Sequence, residues 1–555
     1  MNAMKGDWIT RISDQIEQRV RRTKGEQAHI ICESGISPSG PIHLGNLREI
    51  MTVHLVVEEL KARGWNAEHV HIWDDFDRLR KVPAGVDPSF ATHIGQPLSD
   101  IPDPFGEYDS YALRYMTQFT RGLEALQVYP RYVRQSQAYR EGRYTGKVKQ
   151  ALVHRGEIFD ILAEYQTAIQ ETAEERLARR AAYYPYRVYC ERCHKDDTQI
   201  TSYNEETAFI SYTCQSCQYS GGFSLDEKME GKLVWKVDWP MRWNFYQVDF
   251  EPAGEDHSAP GSSFTVGLRI LREIYQSPPI QYATYAFVGM DGRTKISSSV
   301  GTTATLASAL NIIEPAILRW LYIRRANNQA FNIDFGQGLL RLYDEWDTLF
   351  KQINTGKANE QNKKMYERAT RTSHGEVAHT LKPVPFSLLT SLVDVTHGNI
   401  KQVTRIVAQS LKEPVEFVEP AELEPRLTCA LDWVNNYLPD DERTAIQASF
   451  DAGAYERLSE SQRKELQMLV EKLDNYWTLA GLTELMYNIP KLARGLSVDT
   501  PPDDELKQAQ RAFFVAVYTL ICGSDTGPRI PTLLLSLGKE KVRSLLSPEV
   551  GAVSA

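Results

Sequence analysis

The sequence predicts an α/β domain built on a parallel sheet, with a cysteine-bearing insertion and an all-α C-terminal region. Three observations predict it. A strand, a glycine loop, a helix and a second strand follow one another between residues 29 and 76. Strand-like runs return at 232–239 and 281–290 after a long interval. From about residue 300 onward the apolar spacing is helical almost throughout. Strand, loop, helix and strand in that order indicate a parallel sheet with a crossover helix.

The elements follow in chain order. HIICE (29–33) is a short apolar run suited to a strand. Leu47, Ile50, Val53, Val57 and Leu60 recur at spacings of three and four, which predicts an amphipathic helix from Asn46 to Arg63. EHVHIWDDF (68–76) has the character of a buried strand. Residues 77–230 break the pattern, with helical stretches at 107–127 and 147–180 and then four cysteines, and are expected to be inserted. KLVWKVDW (232–239) and QYATYAFVGM (281–290) are strand-like and would complete the sheet. Segments 433–450, 456–495 and 504–522 carry helical periodicity. PVPF (383–386) and DTPPDDE (499–505) mark joints, and no internal repeat or low-complexity tract is visible.

Composition narrows the function classes. The 555 residues are 42% hydrophobic and 24% charged, ordinary for a globular chain of several domains. A net charge of −9 argues against coating nucleic acid by bulk charge, while leaving room for local basic patches. The N-terminus lacks an apolar signal core, and FFVAVYTLIC (513–522) is too short to span a bilayer. A soluble, cytoplasmic protein without membrane partners is therefore expected. Cys32, Cys429 and Cys522 sit in apolar contexts and are expected in the core.

The chemistry concentrates in SGISPSGPIHLGN (34–46). Pro38, Ser39, Gly40 and Pro41 fix an extended approach, and Gly45 removes a side chain where the helix begins. The N–H groups at a helix start form a ready anion site. His43 and Asn46 are one helical turn apart, so both can face one ligand. The loop suits a nucleotide phosphate; the plain alternative is a tight turn with a satisfied histidine. A second stretch favours the phosphate: GMDGRTKISSS (289–299) follows a strand-like run, with Lys295 to neutralise charge and Ser297 and Ser299 to donate hydrogen bonds.

Cys190-x2-Cys193 and Cys214-x2-Cys217, separated by twenty residues, predict two knuckles closing a tetrahedral, structural Zn2+ site. His194 is surplus to it. RLARRAAYYPYR (176–187) interleaves arginine and tyrosine, suiting phosphate contact and base stacking, or simply a solvated helix face. RVRRTK (19–24) is expected to be a solvated face, and Asp74, Asp75 and Asp77 to be structural or substrate-orienting rather than metal-binding.

HLGN and KISSS, in this order, resemble the two signature sequences of class I aminoacyl-tRNA synthetases. WDDFDRLRKVP (73–83), GQPLSDIPDPFG (95–106), VDWPMRW (237–243), FEPAGEDHSAPGSS (250–263), RLYDEWD (341–347) and GPRIPTLLLSLGKEKV (527–542) resemble the class I lysyl-tRNA synthetases. The likeness is densest between 30 and 350. One departure stands out: Ser298 occupies the place of the signature's second lysine.

The resemblance implies a Rossmann-type catalytic domain over 1–76 and 231–300 and an inserted acceptor-end-binding domain with zinc knuckles over 77–230. It implies a connecting helical region over 301–370 and a helical anticodon-binding domain over 371–555. The implied activity joins L-lysine to tRNA(Lys) through a lysyl-adenylate, with ATP as substrate and Mg2+ on its phosphates, in a monomer. His43, Asn46 and Lys295 would stabilise the transition state; Ser39, Gly40, Gly45, Ser297, Ser298 and Ser299 would complete the ATP site. Gly35, Ser37, Trp235, Asp238, Trp239, Asp256 and His257 would form the lysine pocket, with Trp235 and Trp239 alternatively filling the core. Tyr437, Trp477 and Arg529 are candidate anticodon contacts, with core packing an equal explanation of the first two. The resemblance also implies activation that needs bound tRNA and attack by the terminal 2′-hydroxyl. Competing readings are a glutamyl-type synthetase, a small nucleotidyltransferase and a non-catalytic synthetase-like RNA-binding protein.

Overall fold

A computed structural model describes residues 7–83, 85–165, 171–257, 261–291, 304–382, 384–411 and 419–548. Helix α1 (Trp8–Thr23) buries Ile9, Ile12, Ile16 and Val20 on one face, and Asp7 caps it by accepting from the amides of Ile9 and Thr10. Then come β1 (Ile30–Ile36), α2 (Leu44–Ala62), β2 (Ala67–Trp73), α3 (Tyr111–Ala125) and β3 (Arg131–Arg134). The insertion supplies β4 (Tyr186–Val188), β5 (Thr198–Asn204), β6 (Phe209–Cys214), β7 (Ser220–Ser224) and β8 (Gly231–Leu233). Further strands include β9 (Phe250–Gly254), β10 (Gln281–Tyr285), β11 (Val288–Asp291) and β12 (Phe331–Asp334).

The central sheet has the order β10-β9-β1-β2-β3, and every pairing is parallel. Its middle strand β1 is covered on both faces, as parallel sheets require. Alternation sends Ile30, Cys32 and Ile36 into one hydrophobic cluster, which continues through α2 to the last helix, Lys539–Leu546. Ile31 enters a second cluster with the insertion and the helix Trp235–Tyr246. Asp249 staples the front of the sheet. It accepts from Arg19 Nη1 at 2.9 Å, Lys24 Nζ at 2.8 Å and the Ile31 amide at 3.1 Å.

Several expectations change. KLVWKVDW is not a sheet strand: β8 covers only Gly231–Leu233 and pairs with β4, and a helix starts at Trp235. That helix is buried on all sides from Val237 to Asn244, so it shows no amphipathic period and its alternating start imitates a strand. Residues 281–290 split into β10 in the main sheet and β11, which pairs with β12. The sheet is completed by β9 and by β3, a strand of four residues inside the segment expected as inserted. The helical stretch 147–180 is broken into Thr145–Val153, Arg155–Ala163 and Ala173–Ala182. The helix expected over 433–450 ends at Asn436. Among the described residues no helix is long and apolar enough to cross a membrane.

Gly122 on α3 packs on Leu306, in the helix Leu306–Leu310; a Cβ there would lie 2.6 Å from the leucine. Gly122→Ala is expected to cost about 2 kcal/mol through overpacking, read as a lower denaturant midpoint at unchanged m-value.

Candidate active site

The site forms where β1 ends and α2 begins. His43 caps α2: its Nδ1 accepts from the Gly45 amide at 3.0 Å, and Asn46 Oδ1 accepts from the His43 amide at 3.3 Å. With Nδ1 committed as an acceptor, the neutral ring carries its proton on Nε2 and presents a donor outward. Partial desolvation lowers the His43 pKa and favours that neutral form. Asn46, its oxygen engaged, offers its amide N–H groups. A Cβ on Gly45 would lie 2.7 Å from the imidazole, so Gly45 makes room for the His43 ring itself. A Cβ on Gly40 would meet only Tyr111 Oη, at 4.0 Å, so that stretch of backbone stays open. Ser39 is exposed, and its carbonyl is held by the Tyr111 hydroxyl at 2.9 Å.

Both sides of the second glycine loop meet this structure. β11 leads into it at Asp291, and the chain returns at Ala304. There the Leu44 amide donates to the Ala304 carbonyl at 3.1 Å, and His43 bridges Thr305. Lys295, Ser297, Ser298 and Ser299 themselves lie outside the described residues.

The neighbouring interior is acidic. Glu49, on α2, accepts from the Gly35 amide at 2.7 Å and from the Tyr285 hydroxyl at 2.7 Å. Burial raises its pKa to about 8, and the nearby Glu251 and Asp74 charges add to that; the two donors pull the other way. Arg242, fully buried, pairs with Asp74 at 2.9 Å and lies 3.8 Å from both Glu33 and Asp238. Glu251 accepts from Trp239 Nε1 at 2.8 Å and from Trp243 Nε1. Both Glu33 oxygens are buried without a hydrogen-bond partner, and burial raises its pKa well above the carboxylate range. Among the described residues, Glu33, Glu49, Asp74, Asp77, Asp238 and Glu251 thus gather around two buried cations, Lys232 and Arg242.

The expected pocket residues divide. Trp235 stacks on Trp239 at 5.0 Å and is 37% exposed, and the His257 ring lies 5.8 Å from that of Trp239. Ser37 is half-buried. Asp238 is fully buried, faces the interior and accepts from Tyr139. Asp256 falls in the turn Glu255–His257; its side chain lies outside those described. Sequence reading missed Glu33, Glu49, Lys232, Arg242, Glu251 and Tyr285. The available signal was a charge inside an apolar run, as in IICE and PMRW.

The family described as tRNA synthetases class I (K) matches residues 6–376. The chain belongs to it. Over 97% of its length the chain is 41% identical to a Lysine--tRNA ligase of Streptomyces coelicolor, covering 98% of that protein. It is 31% identical to a Lysine--tRNA ligase of Pyrococcus furiosus, with 96% and 98% covered. It is 30% identical to one of Treponema pallidum, again with 96% and 98% covered. HLGN and the parallel sheet therefore belong to a class I synthetase, and ATP use follows from that family.

In this class I synthetase the four insertion cysteines converge. Their Sγ atoms lie within 4.8 Å of one another, with Cys190–Cys217 and Cys193–Cys214 at 3.6 Å. Tetrahedral zinc with Zn–S bonds of about 2.3 Å needs Sγ separations near 3.8 Å, so the residues fit. The knuckles match bond for bond: His194 N–H donates to Cys190 O at 2.8 Å, and Gln218 N–H donates to Cys214 O at 3.0 Å. Both donors take left-handed φ, 62° and 58°. His194 is exposed and is not part of the sulfur cluster. Among the described residues the aspartates form no such cluster; Asp75 instead accepts from Ser136 N, Ser136 Oγ and Arg134. In RLARRAAYYPYR, Arg179 pairs with Glu171 and Arg180 with Asp160, so much of that charge is spent internally.

Proposed function

We infer that the chain ligates L-lysine to tRNA(Lys) through a lysyl-adenylate, using ATP. The observation that carries lysine rather than glutamate is the buried carboxyl excess around Glu49. An ammonium entering there would be stabilised, whereas a second carboxylate would be repelled. Tyr285 and Gly35 hold Glu49 in place. Trp235, Trp239, His257 and Ser37 are the proposed walls for the lysine chain and its α-groups.

The lysine carboxylate is already ionised, so attack on the ATP α-phosphate needs alignment and charge stabilisation rather than a general base. His43 Nε2–H, the Asn46 amide and the N–H groups at the start of α2 would hold the phosphates. Lys295, with Ser297, Ser298 and Ser299, would close over them, and Ser39 and Gly40 would border the nucleotide. Magnesium, carried on the phosphates, supplies further neutralisation of charge. The same reading assigns 1–76 and 231–300, with β3 from the segment between them, to catalysis, the rest of 77–230 to the acceptor end, 301–370 to the stem and 371–555 to the anticodon, in a cytoplasmic monomer.

Charging of total tRNA with labelled lysine or glutamate tests the reading. Lysine incorporation that disappears in Lys295→Ala is expected. Glutamate incorporation would overturn the pocket, and no charging with either amino acid would favour the RNA-binding reading.

Cys190, Cys193, Cys214 and Cys217 are proposed to hold one structural zinc. Cys214→Ser is expected to abolish the one zinc per chain and to destabilise the insertion by several kcal/mol. Metal analysis and thermal melting check this.

A further inference from the structure

β10 is an edge strand of the central sheet, and its last residue is Tyr285, whose hydroxyl donates to Glu49 at 2.7 Å. The outer edge of β10 is covered at this point. Asn327 Nδ2 donates to the Thr284 carbonyl at 2.7 Å, and the Asn327 carbonyl accepts from the Ala286 amide at 2.9 Å. A residue of a parallel neighbour strand bonds in the same pattern, to the carbonyl before and the amide after the residue it faces. One asparagine, its side-chain amide standing in for a backbone N–H, thus acts as a one-residue strand opposite Tyr285. It comes from the turn after the helix Pro315–Ile323, within the segment 301–370 proposed to meet the tRNA stem. Asn327 is buried there, while the next residues, Asn328 and Gln329, are exposed. Its partners set the orientation of its amide: the Thr284 carbonyl needs a donor, and Oδ1 accepts from Arg11 Nη2 at 3.3 Å.

The same turn is bonded to α2. Arg48, the chain neighbour of Glu49, donates through Nη2 to the carbonyls of Ala326 at 2.6 Å and Asn327 at 3.0 Å. The Asn327 carbonyl is therefore shared by residues 48 and 286, each next in the chain to one member of the Glu49–Tyr285 pair. We propose that Asn327 is a positioning residue for amino-acid recognition, fixing the end of β10 against α2 so that the Tyr285 hydroxyl stays on the Glu49 carboxylate. This rests on the reading of Glu49 as the carboxylate that meets the lysine ammonium. Asn327 acts through Tyr285 and not on the substrate. A mere anchor for the turn would lower stability on mutation without singling out lysine.

Steady-state aminoacylation by the full-length chain, with tRNA present, tests this on Asn327→Ala, Tyr285→Phe, their double variant and Glu49→Gln. Asn327→Ala is expected to raise the lysine KM about tenfold, the scale of one lost hydrogen bond. The ATP KM should stay within about twofold and kcat within about threefold. Tyr285→Phe should raise the lysine KM at least as much. Because Asn327 acts through Tyr285, the double variant should raise the lysine KM no further than Tyr285→Phe alone. If Asn327→Ala fails to fold, Asn327→Asp must show the same split, since it keeps the side-chain size and can accept from Arg11 but cannot donate to Thr284. Equal rises in both KM values, an unchanged lysine KM in the Asn327 variant, or additive effects would overturn the proposal, while a raised lysine KM in Glu49→Gln keeps the reading of Glu49. An unchanged lysine KM in Glu49→Gln would overturn both.

Discussion

Glu49→Gln is expected to reduce kcat/KM for lysine by about two orders of magnitude, about 3 kcal/mol, as for truncating one partner of a buried charge pair. The effect should fall on lysine KM and spare ATP. The amide keeps the size of the carboxyl; its oxygen can accept from the Gly35 amide while its NH2 donates to the Tyr285 hydroxyl oxygen, so the site should keep its shape. The charge also sets a pH dependence. In the free protein the Glu49 pKa is raised to about 8. An incoming ammonium needs the ionised form, so below pH 8 binding must expel a proton. Lysine affinity should therefore rise with pH, by up to tenfold per unit, and level off above about pH 8. Calorimetry in two buffers of different ionisation heat should record the released proton at pH 6.5 and little at pH 9. Without lysine the same group works against folding: a raised carboxyl pKa removes stability as pH climbs from 4.5 to about 8. The thermal shift produced by lysine should accordingly be larger at pH 8 than at pH 6. In Glu49→Gln both the proton release and this pH dependence should vanish.

His43→Ala is expected to lower kcat for adenylate formation by two to three orders of magnitude, the usual effect of removing one preorganised donor. It should also cost about 1 kcal/mol of stability, because the ring is the cap of α2. Gly45→Ala separates the two roles. Its Cβ would fall 2.7 Å from the imidazole and displace the ring while leaving the histidine in the chain. It should reproduce most of the kinetic loss, seen as depressed pyrophosphate exchange at saturating lysine with tRNA present. Exchange near the wild-type rate in Gly45→Ala would show that the ring position is not the operative feature.

The parts of the site legible in the sequence are those built from local geometry. HLGN specifies a capped helix start because cap, glycine and amide partner lie within four residues. The two Cys-x2-Cys pairs predict their convergence because each knuckle is closed by its own backbone bonds. What stayed hidden depends on partners far along the chain. Glu49 looks like a surface charge on an amphipathic helix until β10 places Tyr285 beside it, 236 residues later. Asp238 looked available for substrate, but Tyr139 and Arg242 enclose it. The segment from Trp235 carries a strand-like alternation because a helix buried all round has no polar side to set its period. β3 went unseen because RYVR is short and charged, and only its pairing with β2 makes it a strand.

The order of strands in the sheet also has a consequence for synthesis. β1 pairs with β2 on one edge as soon as residue 73 is made, but its other edge pairs at Phe250. Cys32 and its partner are 218 positions apart. At ribosomal rates of 5–20 residues per second, the nascent chain carries an apolar, unpaired strand edge for about 10–40 s. During that interval the cysteine-bearing insertion emerges, while the strands that close the catalytic sheet are still to be made. Ribosome-bound chains halted before residue 250 should therefore recruit chaperones, and those halted well beyond 285 should release them.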